Sequence, residues 1–378
     1  MFSDGFGKEA GVGLFSKRRK KSSFKSSLPV LRWFGPGVTS VGALYAIYAL
    51  LTGGWSFSAL DDILPEQSEA TFRGETVTLD QMQPLPEDKI LVATFNIENF
   101  GDKKSDTRVN EHGVDVMGTL AQIISRFDLV AIQEIRGKDG AALEKLIRLL
   151  NESGGTFAAT ISDPIGNDDR RESYAFVYNR TRIRLVPGSA YVVLDSGERM
   201  YREPMVATFQ TIVPPGINQA PFQFTAINVH TDPDKVDPND QESEINILAS
   251  VFHRVRKFEF NERLEDDFIL LGDLNAGPDH LGQLSKINGM ISLAGDIKTN
   301  ISRSKTNDHI LIDRNVTAEY AGRKGVVSFT DDLALTPEQA DSISDHLPLW
   351  AEFSRFEAPS ATTTSPSSIA SSRTREIQ

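Results

Sequence analysis

Cysteine is missing from all 378 residues of the chain. Disulfides, zinc-thiolate sites and thiol nucleophiles are therefore excluded. Any bound metal ion must take oxygen and imidazole ligands, which favours Mg²⁺, Mn²⁺ or Ca²⁺. Positively charged residues are also fewer than negatively charged ones, with 40 Lys and Arg residues and 52 Asp and Glu residues. The net charge of −12 disfavours binding of nucleic acid or membranes through one broad basic patch. An acidic protein can still bind phosphates in a cleft whose local field is positive.

A long stretch without any charged residue runs through 33–60, directly after a basic cluster at 17–21. About 20 apolar residues span a bilayer, and flanking positive charge stays in the cytoplasm. We therefore predict a basic cytoplasmic segment at 1–32 and a transmembrane signal anchor at 33–60. The protein would then be membrane-anchored with its body outside the cytoplasm, or secreted if the segment is a cleaved signal peptide. A buried helical hairpin is the third alternative.

The remaining boundaries follow from composition. Residues 61–88 are polar and contain proline, which predicts a linker with at most a small strand at TFRGETVTL. Residues 357–378 are mostly Ser, Thr, Ala and Pro, a composition that cannot bury a core and predicts a disordered tail. The body of the protein is thus predicted at 89–356.

Short apolar runs dominate that body and predict strands, namely ILVATFNI, DLVAIQEI, SYAFVYN, MVATFQTIV, FQFTAINV, DFILLGDL, DHILI and LPLWAEF. Several runs are apolar throughout, which is typical of strands buried on both faces. Two segments, VDVMGTLAQIISRF and ESEINILASVFHRVRKF, space their apolar residues at helical intervals. Because these helices fall between strands, the sequence predicts an α/β (α+β) body in which helices cover sheets.

Polar side chains follow several of the predicted strands, where they are expected to point into a site. Glu134 closes DLVAIQE and is the best candidate for a metal ligand, with Asn96 of FNIEN on a neighbouring strand. Asp273 and Asn275 lie two apart in GDLNAG, so both side chains are expected on the same side. Taken alone, each of these groups could equally be an exposed strand end or an ordinary turn.

Two of the six histidines have a comparable setting. His230 follows the run FTAINV, and His346 lies in SDHLP just before a predicted strand. Glu172 and Asp308 could each orient one of these imidazoles, as a carboxylate does in a hydrolase triad. Hydrolysis of a phosphodiester needs a cation, a base and an acid held in line, and these residue types supply all three. The acidic segment DPDKVDPND after His230 is either a solvated loop or a calcium loop.

The blocks FNIENF, QEIR, RRESYAFVYN, YREP, INVHTDP, ILLGDLNAG, DHILID and ISDHLP occur together in one order. In this order and spacing the chain resembles the deoxyribonuclease I-like family of the endonuclease/exonuclease/phosphatase superfamily, over residues 89–353. The resemblance implies a four-layer sandwich of two packed mixed β-sheets flanked by helices. It also implies a nuclease that depends on Mg²⁺, with Mn²⁺ or Ca²⁺ possible, and has DNA as its substrate.

The resemblance also implies a role for each matching residue. Those roles are metal binding for Glu134, Asn96 and Asp345, acid catalysis for His230 with Glu172, base catalysis for His346 with Asp308, orientation of phosphate and water for Asp273 and Asn275, and substrate contact for Arg136 and Arg202. The acid and the base are interchangeable at this level. Arg170 and Arg171 stand where the family has an aromatic residue, which favours a phosphate contact over stacking in the minor groove.

Three functions remain after this comparison. The first is a membrane-tethered, exported endonuclease with little sequence preference. The alternative is a phosphodiesterase or phosphatase for phospholipid, sphingomyelin or inositol phosphate headgroups, for which a membrane tether would be convenient. The third is a catalytically idle adhesion or scaffold module, which would have no use for two carboxylate-backed histidines.

Overall fold

A computed structural model describes residues 75–82, 84–106, 108–137, 140–166 and 171–358 of the chain. The predicted segments at 1–32 and 33–60, and nearly all of the predicted tail at 357–378, lie outside these ranges. Within the described ranges, no helix is both long and apolar enough to cross a membrane.

The described residues form two seven-stranded sheets. In chain order, the strands are β1 (Glu75–Val77), β2 (Lys89–Phe100), β3 (Leu129–Ile135), β4 (Phe157–Ile161), β5 (Ser173–Asn179), β6 (Ile183–Leu185), β7 (Tyr191–Val192), β8 (Met205–Thr211), β9 (Gln223–His230), β10 (Phe268–Asp273), β11 (Met290–Ser292), β12 (Asp308–Asp313), β13 (Tyr320–Val327) and β14 (Leu349–Ser354). Sheet one has the order β1-β13-β14-β2-β3-β5-β4. Sheet two has the order β11-β12-β10-β9-β8-β6, and β7 also pairs with β8. Both sheets are mixed, since each contains parallel and antiparallel neighbours.

Among the described residues, six helices connect these strands: α1 (Asp102–Ser105), α2 (Val116–Ile124), α3 (Ala141–Glu152), α4 (Glu244–Arg263), α5 (Phe329–Asp332) and α6 (Pro337–Asp341). The side chain of Asp115 caps α2 by accepting from the amide of Gly118. Short 3-10 turns lie at Asp80–Met82, Pro233–Lys235, Pro278–His280 and Leu284–Lys286.

Side chains of β10 alternate between two buried interfaces and so define the layers. Ile269 and Leu271 belong to the large core that both sheets share, whereas Phe268 and Leu270 pack in a second core with α4. Successive side chains of a strand point to opposite faces, so an unbroken apolar run is what a strand with two covered faces requires. Helices α2 and α3 contribute to the large core. The architecture is therefore two packed mixed sheets flanked by helices, as predicted.

All eight predicted strands are confirmed, as are both predicted helices, α2 and α4. Helix α3 was missed, although Leu143, Leu146 and Leu150 show the helical spacing and are buried. The strands β4, β6, β7, β11 and β13 were missed as well. The small strand foreseen at TFRGETVTL, within the predicted linker 61–88, is β1, which pairs in parallel with β13 and so belongs to sheet one.

Candidate active site

Three polar side chains lie side by side at one edge of sheet two. The register pairs Asp273 with His230 of the parallel neighbour β9 and with Asp308 of the antiparallel neighbour β12. Each of these residues is at least 94% buried, with exposed fractions of 2%, 6% and 0% respectively. Residues far apart in sequence thus become neighbours because three strand ends meet at this edge.

Gly272 makes the row of side chains possible. Its φ of +145° is in the region that favours glycine, and an added Cβ would lie 1.8 Å from the carbonyl oxygen of Val229. Any larger residue would therefore push β9 and β10 apart and separate His230 from Asp273. The glycine of the GDLNAG motif is thus required by close packing of the backbones.

Each histidine is held by its own buried carboxylate. His230 donates from Nδ1 to Oε1 of Glu172 over 2.8 Å, and His346 donates from Nδ1 to Oδ2 of Asp308 over 2.7 Å. Burial lowers the pKa of both imidazoles, but the adjacent carboxylates outweigh it, so the pKa of His230 is raised and that of His346 is raised well above its ordinary value. These contacts fix the tautomer and leave Nε2 of each ring for chemistry.

Asp273 lies where the two imidazoles converge. Its Oδ2 is 3.7 Å from Nε2 of His230 and 3.5 Å from Nε2 of His346. Burial alone would raise the pKa of Asp273, but the two histidines lower it, so the carboxyl is held ionised. Its Oδ1 accepts from the amide of Asn275, whose side chain donates to the carbonyl of Thr231. Asn275 therefore braces the turn that presents Asp273.

Glu134 reaches the same place from sheet one by means of an irregular strand. The pairing of β3 with both neighbours shifts around Glu134, whose φ is +61°. Such a bulge re-aims a side chain. One carboxylate oxygen of Glu134 accepts from Nδ2 of Asn96 at 3.1 Å and the other from the amide of Asn99 at 3.0 Å. Burial raises the pKa of Glu134, but His230 and these donors reverse the effect and lower it.

Asn96 joins the two sheets at the site. Its Nδ2 donates to Glu134 and also to Oδ2 of Asp273, both at 3.1 Å. Its Oδ1 is buried and has no hydrogen-bond partner among the described residues. A buried carbonyl oxygen without a donor, beside an ionised carboxylate, is suited to a metal ligand. Asp273, Asp308 and His346 also offer possible metal-ligand atoms, and these atoms lie within 4.8 Å of one another.

The predicted arginines differ in their exposure. Arg202 has a side chain only 6% exposed, 3.4 Å from Oε2 of Glu172, and it donates to the carbonyl of His230. Arg136 is 26% exposed and lies 3.5 Å from Glu134 and 3.7 Å from Glu172. Arg202 therefore holds Glu172 and His230 in place, while Arg136 contacts both carboxylates and is partly exposed to solvent.

The structure brings together ten of the predicted residues, His230, His346, Glu172, Asp308, Asp273, Asn275, Glu134, Asn96, Arg136 and Arg202. Asp345 is at the rim, with its side chain 51% exposed and Oδ1 3.7 Å from Nε2 of His346. Arg170 lies outside the described residues.

Sequence reasoning missed the hydroxyls that orient the histidines. Ser344 donates to the carbonyl of Asn96 and accepts from the amide of His346, thereby tying SDH to FNIEN. Tyr174 accepts from the amide of His230 and donates to its carbonyl. Both residues are in the motif blocks, but their sequence positions give no sign of these contacts.

A sequence profile of the endonuclease/exonuclease/phosphatase family matches residues 93–346, which is most of the chain and includes the whole site. The chain belongs to this family. Among its relatives, deoxyribonuclease-1-like 1 of Sus scrofa is 29% identical over 64% of this chain and 75% of that protein. Human deoxyribonuclease-1 is 28% identical over 68% of this chain and 90% of that protein.

Two solved structures show the same fold. A family member from Bacteroides thetaiotaomicron matches with a TM-score of 0.50 at 15% identity, over 70% of this chain and 94% of that one. A mannosyl-6-phosphatase of the same organism also matches with a TM-score of 0.50 at 15% identity, over 69% of this chain and 98% of that one. These likenesses confirm the two-sheet architecture.

Replacing Arg202 with alanine is expected to destabilise this family member by about 3–5 kcal/mol, because Glu172 would keep a buried charge with one partner fewer. Lys145→Ala removes one partner of an exposed ion pair with Asp106 and is the matched control, with an expected cost of about 1 kcal/mol or less. Urea unfolding followed by circular dichroism measures both. Equal losses of stability in the two variants would contradict a structural role for Arg202.

His309, one of the histidines without a predicted role, is fully buried and has a pKa lowered by burial to about 4. Its Nε2 donates to the carbonyl of Ala276, and Nδ1 accepts from Ser292. In the unfolded chain His309 takes up a proton near pH 6.5, whereas in the folded chain it does so only near pH 4. The free energy of unfolding therefore decreases by about 3 kcal/mol as the pH falls from 6.5 to 4.

Urea unfolding between pH 7 and pH 4 checks this expectation. In His309→Gln the loss over the same window is expected to be smaller by about 3 kcal/mol, whatever the stability of the variant at pH 7. Parallel stability curves for the two proteins would show that His309 does not titrate as expected.

Proposed function

We propose that the protein is a divalent-metal-dependent endonuclease that hydrolyses phosphodiester bonds of DNA with little sequence preference. The observation that carries the proposal is the convergence of two carboxylate-backed imidazoles on one ionised aspartate, Asp273. In this arrangement one imidazole can accept a proton on one side of a bound phosphate while the other donates a proton on the opposite side. Similarity to deoxyribonuclease-1 and deoxyribonuclease-1-like 1 supports DNA as the substrate.

The proposed metal site fits the residues present. Glu134 provides an ionised carboxylate, and Asn96 provides a buried carbonyl oxygen without a hydrogen-bond donor. Asp345 is the third proposed ligand and lies at the exposed rim. This set contains only oxygen donors, which Mg²⁺ prefers, and Mn²⁺ or Ca²⁺ would also be accepted. When bound, the cation would neutralise the charge that develops on the phosphate.

In the proposed reaction, one imidazole takes a proton from the attacking water while the other protonates the leaving alkoxide. The oxygen of water forms a new bond to phosphorus as the bond to the leaving oxygen breaks. Glu172 and Asp308 stabilise whichever imidazole carries the extra proton. The family resemblance assigns His230 as the acid and His346 as the base, and the near symmetry around Asp273 allows either order.

The substrate backbone would be held mainly by guanidinium groups. Arg136 is partly exposed between Glu134 and Glu172, and a guanidinium suits a bidentate contact with a phosphate. Nothing among the motif blocks is typical of major-groove base readout, which supports low sequence preference. We further propose that the N-terminal segment at 33–60 exports and tethers the enzyme, as its lack of charge after a basic cluster suggests.

Nicking of supercoiled plasmid tests the proposed function. The full chain is expected to nick plasmid with Mg²⁺ or Mn²⁺ and to be inactive with chelator. Glu134→Gln, which leaves a weaker metal ligand of the same size, should need a much higher Mg²⁺ concentration. Glu144→Gln makes the same change in the first turn of α3 and is the control. Failure to nick DNA, with metal-dependent hydrolysis of sphingomyelin or inositol phosphates instead, would favour the alternative substrate class.

A further inference from the structure

A second group of carboxylates lies at the opposite edge of sheet two. Asp267 directly precedes β10, whose other end carries Asp273, and a strand of this length separates the two by about 20 Å. Glu319 directly precedes β13, and Glu357 follows β14. The group therefore joins segments of both sheets and is separate from the proposed catalytic site.

The three side chains point at one another. Each of Asp267, Glu319 and Glu357 offers an oxygen within 4.8 Å of the others. Asp267 and Glu319 are only 4% and 3% exposed. Oε2 of Glu319 is buried and has no hydrogen-bond partner among the described residues, whereas the carboxylate of Asp267 is approached by the hydroxyl of Thr317. A buried carboxylate oxygen without a donor is a cost to the fold unless something else binds it.

Backbone amides fix the outer oxygens of the group. Oε1 of Glu319 accepts from the amide of Ala358 at 2.7 Å, and Oε2 of Glu357 accepts from the amide of Gln223 at 3.3 Å. These bonds leave the remaining oxygens directed toward the shared space. Three carboxylates arranged in this way match the ligands of a hard cation.

We propose that Asp267, Glu319 and Glu357 form a structural Ca²⁺ site. Ca²⁺ suits the group better than Mg²⁺, because it accepts irregular sets of carboxylate oxygens and completes its shell with water. Water can reach the group through Glu357, which is only half-buried. The bound ion would link the segment after β14, which contains Glu357, to the residues that directly precede β10 and β13.

Calorimetric titration and thermal unfolding of the chelator-treated full chain test this proposal. CaCl₂ is expected to raise the melting temperature by about 5 °C or more at concentrations near 100 times Kd. Asp267→Asn and Glu319→Gln should each lose one bound Ca²⁺ and most of the shift. Glu262→Gln makes the same charge change at an exposed position on α4 and should behave like the unaltered chain.

Ca²⁺ bound at the catalytic site is distinguished by Glu134→Gln, which leaves the second group intact. This variant is expected to keep one bound Ca²⁺ and the full thermal shift, whether or not the Asp267 and Glu319 variants fold. Loss of all Ca²⁺ binding in Glu134→Gln would overturn the proposal, as would a thermal shift of that variant with MgCl₂ as large as its shift with CaCl₂. Retention of the same number of Ca²⁺ ions in folded Asp267→Asn would overturn it too.

Discussion

His230→Gln and His346→Gln are each expected to lower the rate of plasmid nicking by about 10³-fold, within the range that general acid or base catalysis contributes. Each substitution removes a proton carrier whose Nε2 lies within 4 Å of Asp273, and leaves its partner carboxylate with an amide in place of an imidazole. Single-turnover nicking at saturating Mg²⁺ measures the effect on the chemical step. Glutamine keeps a polar group of moderate size, so the fold is expected to survive.

The control for both variants is His253→Gln, because His253 is an exposed residue of α4 that belongs to none of the motif blocks. The double variant is informative as well. When two residues act together in one reaction, removing both slows the reaction far less than the product of the two separate effects. The double variant should therefore be only slightly slower than the slower of the two single variants. Full activity of either single variant would remove that histidine from the proposed mechanism.

The proximity of the histidines to Asp273 could be anticipated only through the family resemblance. The sequence shows that His230 and Asp273 each close an apolar run, but it does not show that their strands are parallel neighbours in register. The pairing follows from the packing of α4, which connects β9 to β10 and covers the sheet face that both strands share. Contacts of this kind depend on tertiary structure, and local patterns do not contain them.

Glu134 shows where local reasoning stops. Its place at a strand end was evident from DLVAIQE, but its positive φ and the bulge around it were not. A glutamate has no intrinsic preference for that backbone conformation, which is held by the bonds from Asn96 and Asn99. Backbone strain at a residue that faces a site is typical of functional positions.

Arg202 illustrates a role that changed between sequence and structure. The resemblance assigns it to the substrate, whereas its side chain is buried against Glu172 and the carbonyl of His230. The sequence could not separate the two roles, because a guanidinium serves equally for a phosphate and for a buried carboxylate. Its burial supports a positioning role beside the Glu172–His230 pair, and the contact with substrate stays a prediction.

Asp273→Asn is expected to have an effect as large as loss of a histidine, about 10³-fold on the rate of nicking. The substitution preserves shape and keeps an oxygen that can accept from the amide of Asn275. It removes the negative charge between two imidazoles and puts an amide where Asn96 already donates. If the new amide nitrogen of residue 273 faced Nδ2 of Asn96, two donors would meet, and one of the side chains would have to rotate. The hydrogen bond from Asn96 that joins the two sheets would therefore weaken as well.

The electrostatic part of this expectation can be measured apart from activity. Asp273 contributes to the raised pKa of His230 and of His346, so the pKa of both imidazoles should fall in Asp273→Asn. NMR titration of the histidine ring protons in chelator measures these values. Asp279→Asn, an exposed aspartate a few residues along the chain, is the control and should change neither the pKa values nor the rate. A folded Asp273→Asn variant that nicks plasmid at the original rate would mean that the charge shared by the two histidines is not used in the reaction.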